Sequence, residues 1–257
     1  MNGSFSGQHL GGAYCVEDTA HQRCLWLTPQ GALIDAVSQT AFVSDLPLGK
    51  STSFRRAGLG VPEGSDHETL RHLSAVLGQY RPQCLVVLGD LVHNAQSLTP
   101  RLQEQIAALR DQHSDIAWHL VMGNHDRKAS EVLRLHWMPR LGLEVFEDRW
   151  QEVPGLVGVH SPQDLTDARV GTDLPQTVWS IAGHLHPSVL VAGGARQRLR
   201  LRCFAFRAGQ WLLPAFGAFT GSFPLQPKDY DAVYPVAEER VFCLKPTAHD
   251  LTSDKKP

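Results

Sequence analysis

Apolar positions fall into two regimes along the chain. As far as residue 186, short apolar runs alternate with segments of helical period. The runs are Thr40–Ser44, Cys84–Leu88, Ile116–Met122, Leu156–Val159 and Val178–Ala182. At four to seven residues each, rich in Val, Leu and Ile, they read as buried strands. Between them, Ser65 or Asp66 caps a predicted helix with Leu70, Leu73, Val76, Leu77 and Tyr80 on one face. Thr99 and Pro100 open a second, carrying Leu102, Ile106 and Leu109 at helical spacing, and Glu131–His136 is a shorter third. Beyond His186 the pattern turns strand-rich, over Ser188–Ala192, Leu199–Arg207, Trp211–Phe216 and Arg240–Leu244. Strands alternating with helices predict a layered α/β fold. No linker interrupts the chain, so one domain is expected over residues 1–257, with a loose tail at 247–257.

Composition narrows this picture only modestly. With 42% apolar and 19% charged residues over 257 positions, the chain is globular and long enough to bury a core without disulfides. A net charge of −2 gives no global attraction for nucleic acid, so any such binding must be local. The five cysteines are widely spaced and lack a C-x-x-C pair, which points to reduced thiols rather than a disulfide framework or thiolate zinc site. The first ten residues do not read as a signal peptide, and no apolar run approaches the ~20 residues that span a bilayer. The expectation is a soluble, cytoplasmic protein.

The ends of the apolar runs carry the chemistry. Each leads into a polar residue: Asp45, Asp90, Asn124 with His125 and Asp126, His160, and His184 with His186. Loops after strands are where α/β folds place functional groups. Singly, each of these residues could cap a turn, and His160 in Val-His-Ser-Pro could belong to an ordinary loop. As an ordered set they form a mixture of carboxylate, amide oxygen and imidazole that suits Mn²⁺, Fe or Zn²⁺. Two such ions, ~3.5–4 Å apart and sharing a carboxylate, clamp the attacking and leaving oxygens of a phosphoryl transfer. His113, His119 and His136 read instead as surface or helix residues.

The series Asp45-Leu46-Pro47, Gly89-Asp90-Leu91-Val92-His93, Gly123-Asn124-His125-Asp126, His160 and Gly183-His184-Leu185-His186 resembles the calcineurin-like metallophosphoesterase superfamily. The resemblance implies a four-layer α-β-β-α sandwich of two mixed sheets flanked by helices, with two divalent ions, most often Mn²⁺. It assigns Asp45 and His186 to the first metal, Asn124, His160 and His184 to the second, and Asp90 to both. His125 would protonate the leaving oxygen, oriented by Asp126. A narrower resemblance, over roughly residues 25–225, rests on Asp45-Leu46-Pro47-Leu48-Gly49-Lys50, Phe54-Arg55, Pro62-Glu63-Gly64, Gly183-His184-Leu185-His186-Pro187 and the segment from Leu213 to Gly221. It is similar to the ligase-associated DNA-damage-response (PdeM-type) phosphoesterases, regarded as metal-dependent phosphodiesterases or endonucleases linked to DNA repair.

One station departs from the pattern. Pro47 stands where a metal-binding histidine is expected, and proline offers no donor atom. The first site then keeps Asp45, Asp90 and His186 and should bind its ion more weakly. Lys50 and His93 are candidates to meet a substrate phosphate. Arg196, Arg198, Arg200 and Arg202 alternate along one strand, and Arg200 and Arg202 are candidates to hold a nucleic-acid backbone, although a charged edge strand reads the same way. The expected reaction is phosphodiester hydrolysis. Alternatives are a phosphomonoesterase or nucleotide phosphohydrolase on the same site, and a catalytically impaired binding or scaffold protein.

Overall fold

The computed structural model describes residues 7–18, 22–60, 64–129, 131, 137–165, 178–192, 198–217 and 220–244. The tail at 247–257 and most of the Glu131–His136 segment lie outside them. The first sheet runs in chain order: β1 (Gly7–Leu10), β2 (Ala13–Asp18), β3 (Arg23–Leu27), β4 (Leu33–Asp35), β5 (Thr40–Val43), β6 (Cys84–Leu88), β7 (Ala117–Val121) and β8 (Leu143–Phe146). Its first five strands form an antiparallel meander, and β5 to β8 are parallel. The apolar runs of the sequence do not foretell the meander, because Cys15, Glu17, Cys24 and Trp26 together on its outer face spoil a clean alternation.

The second sheet comprises β9 (Arg149–Trp150), β10 (Leu156–Val159), β11 (Trp179–Ala182), β12 (Pro187–Ala192), β13 (Arg198–Arg207), β14 (Gln210–Leu212) and β15 (Phe223–Pro224), in the order β15-β12-β13-β14-β11-β10-β9. A further hairpin, β16 (Ala232–Ala237) and β17 (Arg240–Val241), pairs with β13. The expected strand Trp211–Phe216 stops at Leu212, since the residues beyond it turn toward the first sheet. There Phe216 N–H donates to Ser44 O (2.9 Å) and Gly217 N–H to Asp45 O (3.1 Å).

Burial follows from this pairing. Phe42, Val86 and Leu88 of the first sheet meet Trp150, Ile181, Phe204 and Trp211 of the second in a dry layer. On the outer face of the first sheet, helices α2 (Ser65–Tyr80) and α3 (Pro100–Gln112), which follow the short α1 (Lys50–Arg56), cover Val43, Leu85 and Val87 with Leu73, Leu77 and Ile106. Each such side chain contributes about 1.5–3 kcal/mol by leaving water. Two sheets flanked by helices make a four-layer α-β-β-α sandwich. Thr99 caps α3 as expected, accepting from Leu102 N–H at 3.2 Å. Gly64, not Ser65 or Asp66, precedes α2. Asp66 instead reaches sideways, accepting from Gly49 N–H (2.9 Å) and Ser51 Oγ–H (3.1 Å), and so braces the loop after β5.

Candidate metal centre

Five parallel strands from the two sheets, β5, β6, β7, β10 and β11, end along one edge of the sandwich. The residues just past them are Asp45, Asp90, Asn124, His160 and His184. Main-chain bonds staple the loops together: Asp45 N–H donates to Gly89 O (3.2 Å) and Gly183 N–H to His160 O (3.0 Å). Asp45, Asp90, His184 and His186 all have positive φ, between 48° and 66°. Non-glycine residues enter this region at a cost of roughly 1–2 kcal/mol each, and such outliers gather where surrounding structure holds functional groups in place. Close approach excludes any side chain beside them. A Cβ on Gly89 would lie 2.2 Å from His160 Nδ1, and one on Gly123 would lie 2.4 Å from Asp90 Oδ1.

The histidine rings are oriented by their neighbours. His160 Nδ1 meets Leu88 O at 3.0 Å, His186 Nδ1 meets Gly221 O at 3.1 Å, and His125 Nδ1 meets His93 O at 2.9 Å. Only a protonated Nδ1 donates to a carbonyl, so each neutral ring keeps a bare Nε2, the ligand-ready tautomer. His160 Nε2 lies 3.1 Å from His184 Nδ1 and 3.8 Å from Asp90 Oδ1. His186 Nε2 lies 3.1 Å from Asp45 Oδ1, a buried oxygen without a hydrogen-bond partner. Asp45 Oδ2 is engaged separately, by His184 N–H at 2.9 Å. The facing lone pairs of His186 Nε2 and Asp45 Oδ1 fit a cation between them, and His184 Nδ1 meets the bare His160 Nε2 either as a donor or across a shared cation. Burial works to raise the Asp45 carboxyl, but His186 and His160 outweigh it and hold it below its ordinary value. Burial likewise opposes a charge on His186, but Asp45 raises its pKa. His184 is lowered, by burial and by neighbouring His160.

Asn124 opens α4 (Asn124–Lys128) and is exposed. His125 follows it, its backbone N–H bonded to Asp90 Oδ1 at 2.9 Å. The expected role of Asp126 needs correcting. Its carboxylate does not hold the His125 ring, whose Nδ1 is taken by the His93 carbonyl. It accepts instead from the N–H groups of Gly123 (3.1 Å), Val92 (3.2 Å) and Leu91 (3.4 Å), joining the β6 and β7 loops. Burial pushes it up to about 6 despite those bonds, with the charge of Asp90 adding to the rise. Asp126 is therefore a buried loop brace, as Asp66 is on the other side.

Lys50 begins α1, half-buried, with its ammonium 5.6 Å from the Phe54 ring centre. Burial lowers its pKa, while Asp90 and Asp45 pull the other way. His93 lies between Phe54 and His125, with ring centres 6.1 and 5.0 Å away. Phe54 thus joins the site; the narrower resemblance includes it in Phe54-Arg55 but gives it no role there. Pro47 is buried, and its carbonyl accepts from Lys50 N–H at 3.1 Å.

The arginine strand divides. Arg202 turns inward and donates to Pro29 O (2.6 Å), with a longer approach to Ala215 O (3.4 Å), so its guanidinium fastens loops instead of standing free for a substrate. Arg200 and Arg198 are exposed on the same face of β13, in the stretch paired with β12 alone. Arg196 lies outside the described residues.

Among the described residues, two groups of His and acidic side chains have ligand atoms within 4.8 Å of one another and could hold a divalent ion. Asp90, His160 and His184 form the first. The second, His119 with Glu144 and Glu152, runs against expectation, because His119 is buried in β7 and not on a surface or helix. The Trp150 indole N–H donates to its Nδ1 at 2.8 Å, which leaves the proton of the neutral ring on Nε2, 3.3 Å from Glu144.

Residues 39–198, more than half of the chain, match the family model for calcineurin-like phosphoesterases. The chain belongs to that family. Among solved structures, this phosphoesterase is similar to Pseudomonas putida nuclease MPE, with 26% identity and a TM-score of 0.71 over 90% of this chain and 100% of that one. A dimetal phosphatase from Danio rerio aligns over 81% of this chain and 98% of its own, at 13% identity and a TM-score of 0.41. No curated protein matches the chain. The likeness to a bacterial nuclease agrees with the narrower resemblance carried by the segments around Asp45 and His184. No described helix of this phosphoesterase is long and apolar enough to cross a membrane.

Proposed function

We propose that this phosphoesterase hydrolyses phosphodiester bonds, with nucleic acid as the substrate class, at a two-ion centre on the convergent strand ends. The observation that carries the reading is the set of bare imidazole nitrogens and carboxylate oxygens aimed at one another, above all His186 Nε2 and the orphaned Asp45 Oδ1. Asp90, Asn124, His160 and His184 would hold one ion, and Asp45, Asp90 and His186 the other. When bound, such ions activate water and neutralise the phosphoryl oxygens. Mn²⁺ suits this oxygen and imidazole set, as do Fe and Zn²⁺.

The remaining groups have separate tasks. His125, its Nδ1–H fixed on the His93 carbonyl, would protonate the leaving oxygen from Nε2 in its doubly protonated, imidazolium form. Lys50 and His93 flank the same space, and the Lys50 ammonium can pair with a phosphate oxygen. Pro47 offers no donor where the family pattern has a histidine, so Asp45, Asp90 and His186 alone would hold the first ion, and more weakly. The similar Pseudomonas putida protein, aligned over the whole of its length, is a nuclease, which supports a nucleic-acid substrate. Exposed Arg198 and Arg200, on the hairpin that begins directly after His186, support it further; Arg202 belongs to the frame.

A Mn²⁺ titration with bis-p-nitrophenyl phosphate tests the reaction. Metal-dependent turnover that is abolished in Asp90→Ala is expected. A folded protein without turnover at any metal concentration would identify an interaction module that keeps the fold alone.

A further inference from the structure

Away from the strand ends, Cys15 and Cys24 sit on neighbouring antiparallel strands, β2 and β3. The register places Cys15 opposite Trp26 and Cys24 opposite Glu17, so the two cysteines are diagonal neighbours on one face. That face is turned away from the inter-sheet core, which takes Val16, Leu25 and Leu27 from the same strands. The two sulfurs are 3.3 Å apart. Both are free thiols, and the metal centre uses neither.

Their exposures differ. Cys15 is buried, whereas Cys24 is half-exposed and lines an open hollow of about 390 Å³ with Glu17, Asp18, Gln22, Arg23 and Val37. We propose that Cys15 and Cys24 form a peroxide-responsive dithiol, in which Cys24 is oxidised first and Cys15 closes a reversible disulfide across the hairpin. The order follows from access, because Cys24 lines the hollow and is partly exposed, whereas Cys15 is buried and does not line it. Burial reinforces it by pushing the Cys15 thiol up to about 12, with the proximity of Cys24 adding to the rise.

The steps balance. The Cys24 sulfur attacks the hydroperoxide O–O bond, giving a sulfenic acid and releasing the alcohol, or water from hydrogen peroxide. The Cys15 sulfur then attacks the Cys24 sulfur, the S–O bond breaks, and the hydroxyl leaves as water with the Cys15 proton. Two thiols are oxidised and one peroxide is reduced. Closing the gap from 3.3 Å to the ~2.05 Å of a disulfide draws the two strand positions together, since diagonal neighbours lie roughly 7–8 Å apart and disulfides usually span about 4.4–6.8 Å between Cα atoms.

The test uses the full chain, treated with hydrogen peroxide and then alkylated. Free thiols, counted after denaturation, should fall from the five in the sequence to three. Trypsin cuts after Arg23, between the two cysteines, so a bond appears as two otherwise separate peptides joined through Cys15 and Cys24 and released by dithiothreitol. Cys24→Ser should retain its remaining thiols under the same treatment. Cys15→Ser should stop at a sulfenic acid on residue 24 that dimedone traps. Cys24 oxidised in the wild type without the link, or links scattered over Cys84, Cys203 and Cys243, would overturn the proposal. The wild-type peptide map decides it even if a serine variant folds poorly.

Discussion

His186 Nε2 and Asp45 Oδ1 face each other at 3.1 Å, and no neighbouring group supplies a proton between them. The imidazole proton is committed to Gly221 O through Nδ1, and Asp45 Oδ1 has no other partner. Two species relieve this arrangement, a second proton on His186 or a metal ion, and they compete. The chemistry of the first ion position therefore depends on pH.

The competition sets opposite trends with and without metal. In the metal-free protein, the raised pKa of His186 makes its contribution to stability full below the ordinary 6.5 and lost as pH climbs through the folded value. The lowered pKa of Asp45 gives a contribution present above 3.8 and lost as pH falls through its folded value. Thermal melts in EDTA should therefore show the pair's stabilisation fading as pH rises past 6.5. With Mn²⁺ the trend should reverse, since the ion must displace the His186 proton and affinity rises with pH. Parallel slopes in the two series would remove the ion from this position.

Replacing Pro47 by His should restore a ligand to the first position. Metal analysis after dialysis is expected to move toward two ions per chain at lower Mn²⁺ concentration, with higher turnover. Unchanged stoichiometry and rate would mean that another group already completes the shell.

His125→Ala should lower kcat on an oligonucleotide, whose sugar alkoxide needs a proton to leave, by roughly 10²–10⁴-fold with little change in metal content, the loss typical of a proton donor. A leaving group that needs no proton should recover much of that loss. Equal losses for good and poor leaving groups would show that the ring only binds.

Asp126→Ala strands three main-chain N–H groups between the β6 and β7 loops. Each buried unpaired donor costs about 1–3 kcal/mol, so urea unfolding should register a loss of roughly 3 kcal/mol or more. Asn at the same position keeps an acceptor oxygen and should lose less. An alanine variant of normal stability but low activity would return Asp126 to a direct catalytic role.

Arg198→Ala with Arg200→Ala should leave kcat/KM on bis-p-nitrophenyl phosphate unchanged while weakening single-stranded oligonucleotide binding. The salt slope for that binding should fall by about 0.7 for each phosphate that is no longer neutralised. Arg202→Ala should instead reduce thermal stability, because its guanidinium bonds Pro29 O. Oligonucleotide binding untouched by the double substitution would leave the pair as a charged, non-pairing edge.

Much of this protein is legible from its sequence, for a definite reason. Apolar runs of strand length ending in Asp45, Asp90, Asn124, His160 and His184 encode buried parallel strands with polar C-terminal ends, and a periodic pattern of this kind survives in one dimension. Helices α2 and α3 are visible through the spacing of Leu70, Leu73, Val76 and Leu77 and of Leu102, Ile106 and Leu109. The antiparallel meander before β5 is not, because Cys15, Glu17, Cys24 and Trp26 share its outer face and spoil a clean alternation.

What the tertiary structure alone decided is how each side chain is used. Asp126 and Asp66 have the composition of an orienter and a helix cap, yet each braces a neighbouring loop, because the N–H groups of Leu91 and Val92, and of Gly49, come within reach from segments remote in sequence. Arg202 and Arg200 are two residues apart on one face, but only Arg202 meets backbone carbonyls that bury it. The imidazole tautomers are equally hidden, since they are set by the carbonyls of Leu88, Gly221 and His93. A sequence specifies which donors and acceptors exist and which strands carry them. Which donor meets which acceptor depends on distances between segments, and those are fixed only when the two sheets close on each other.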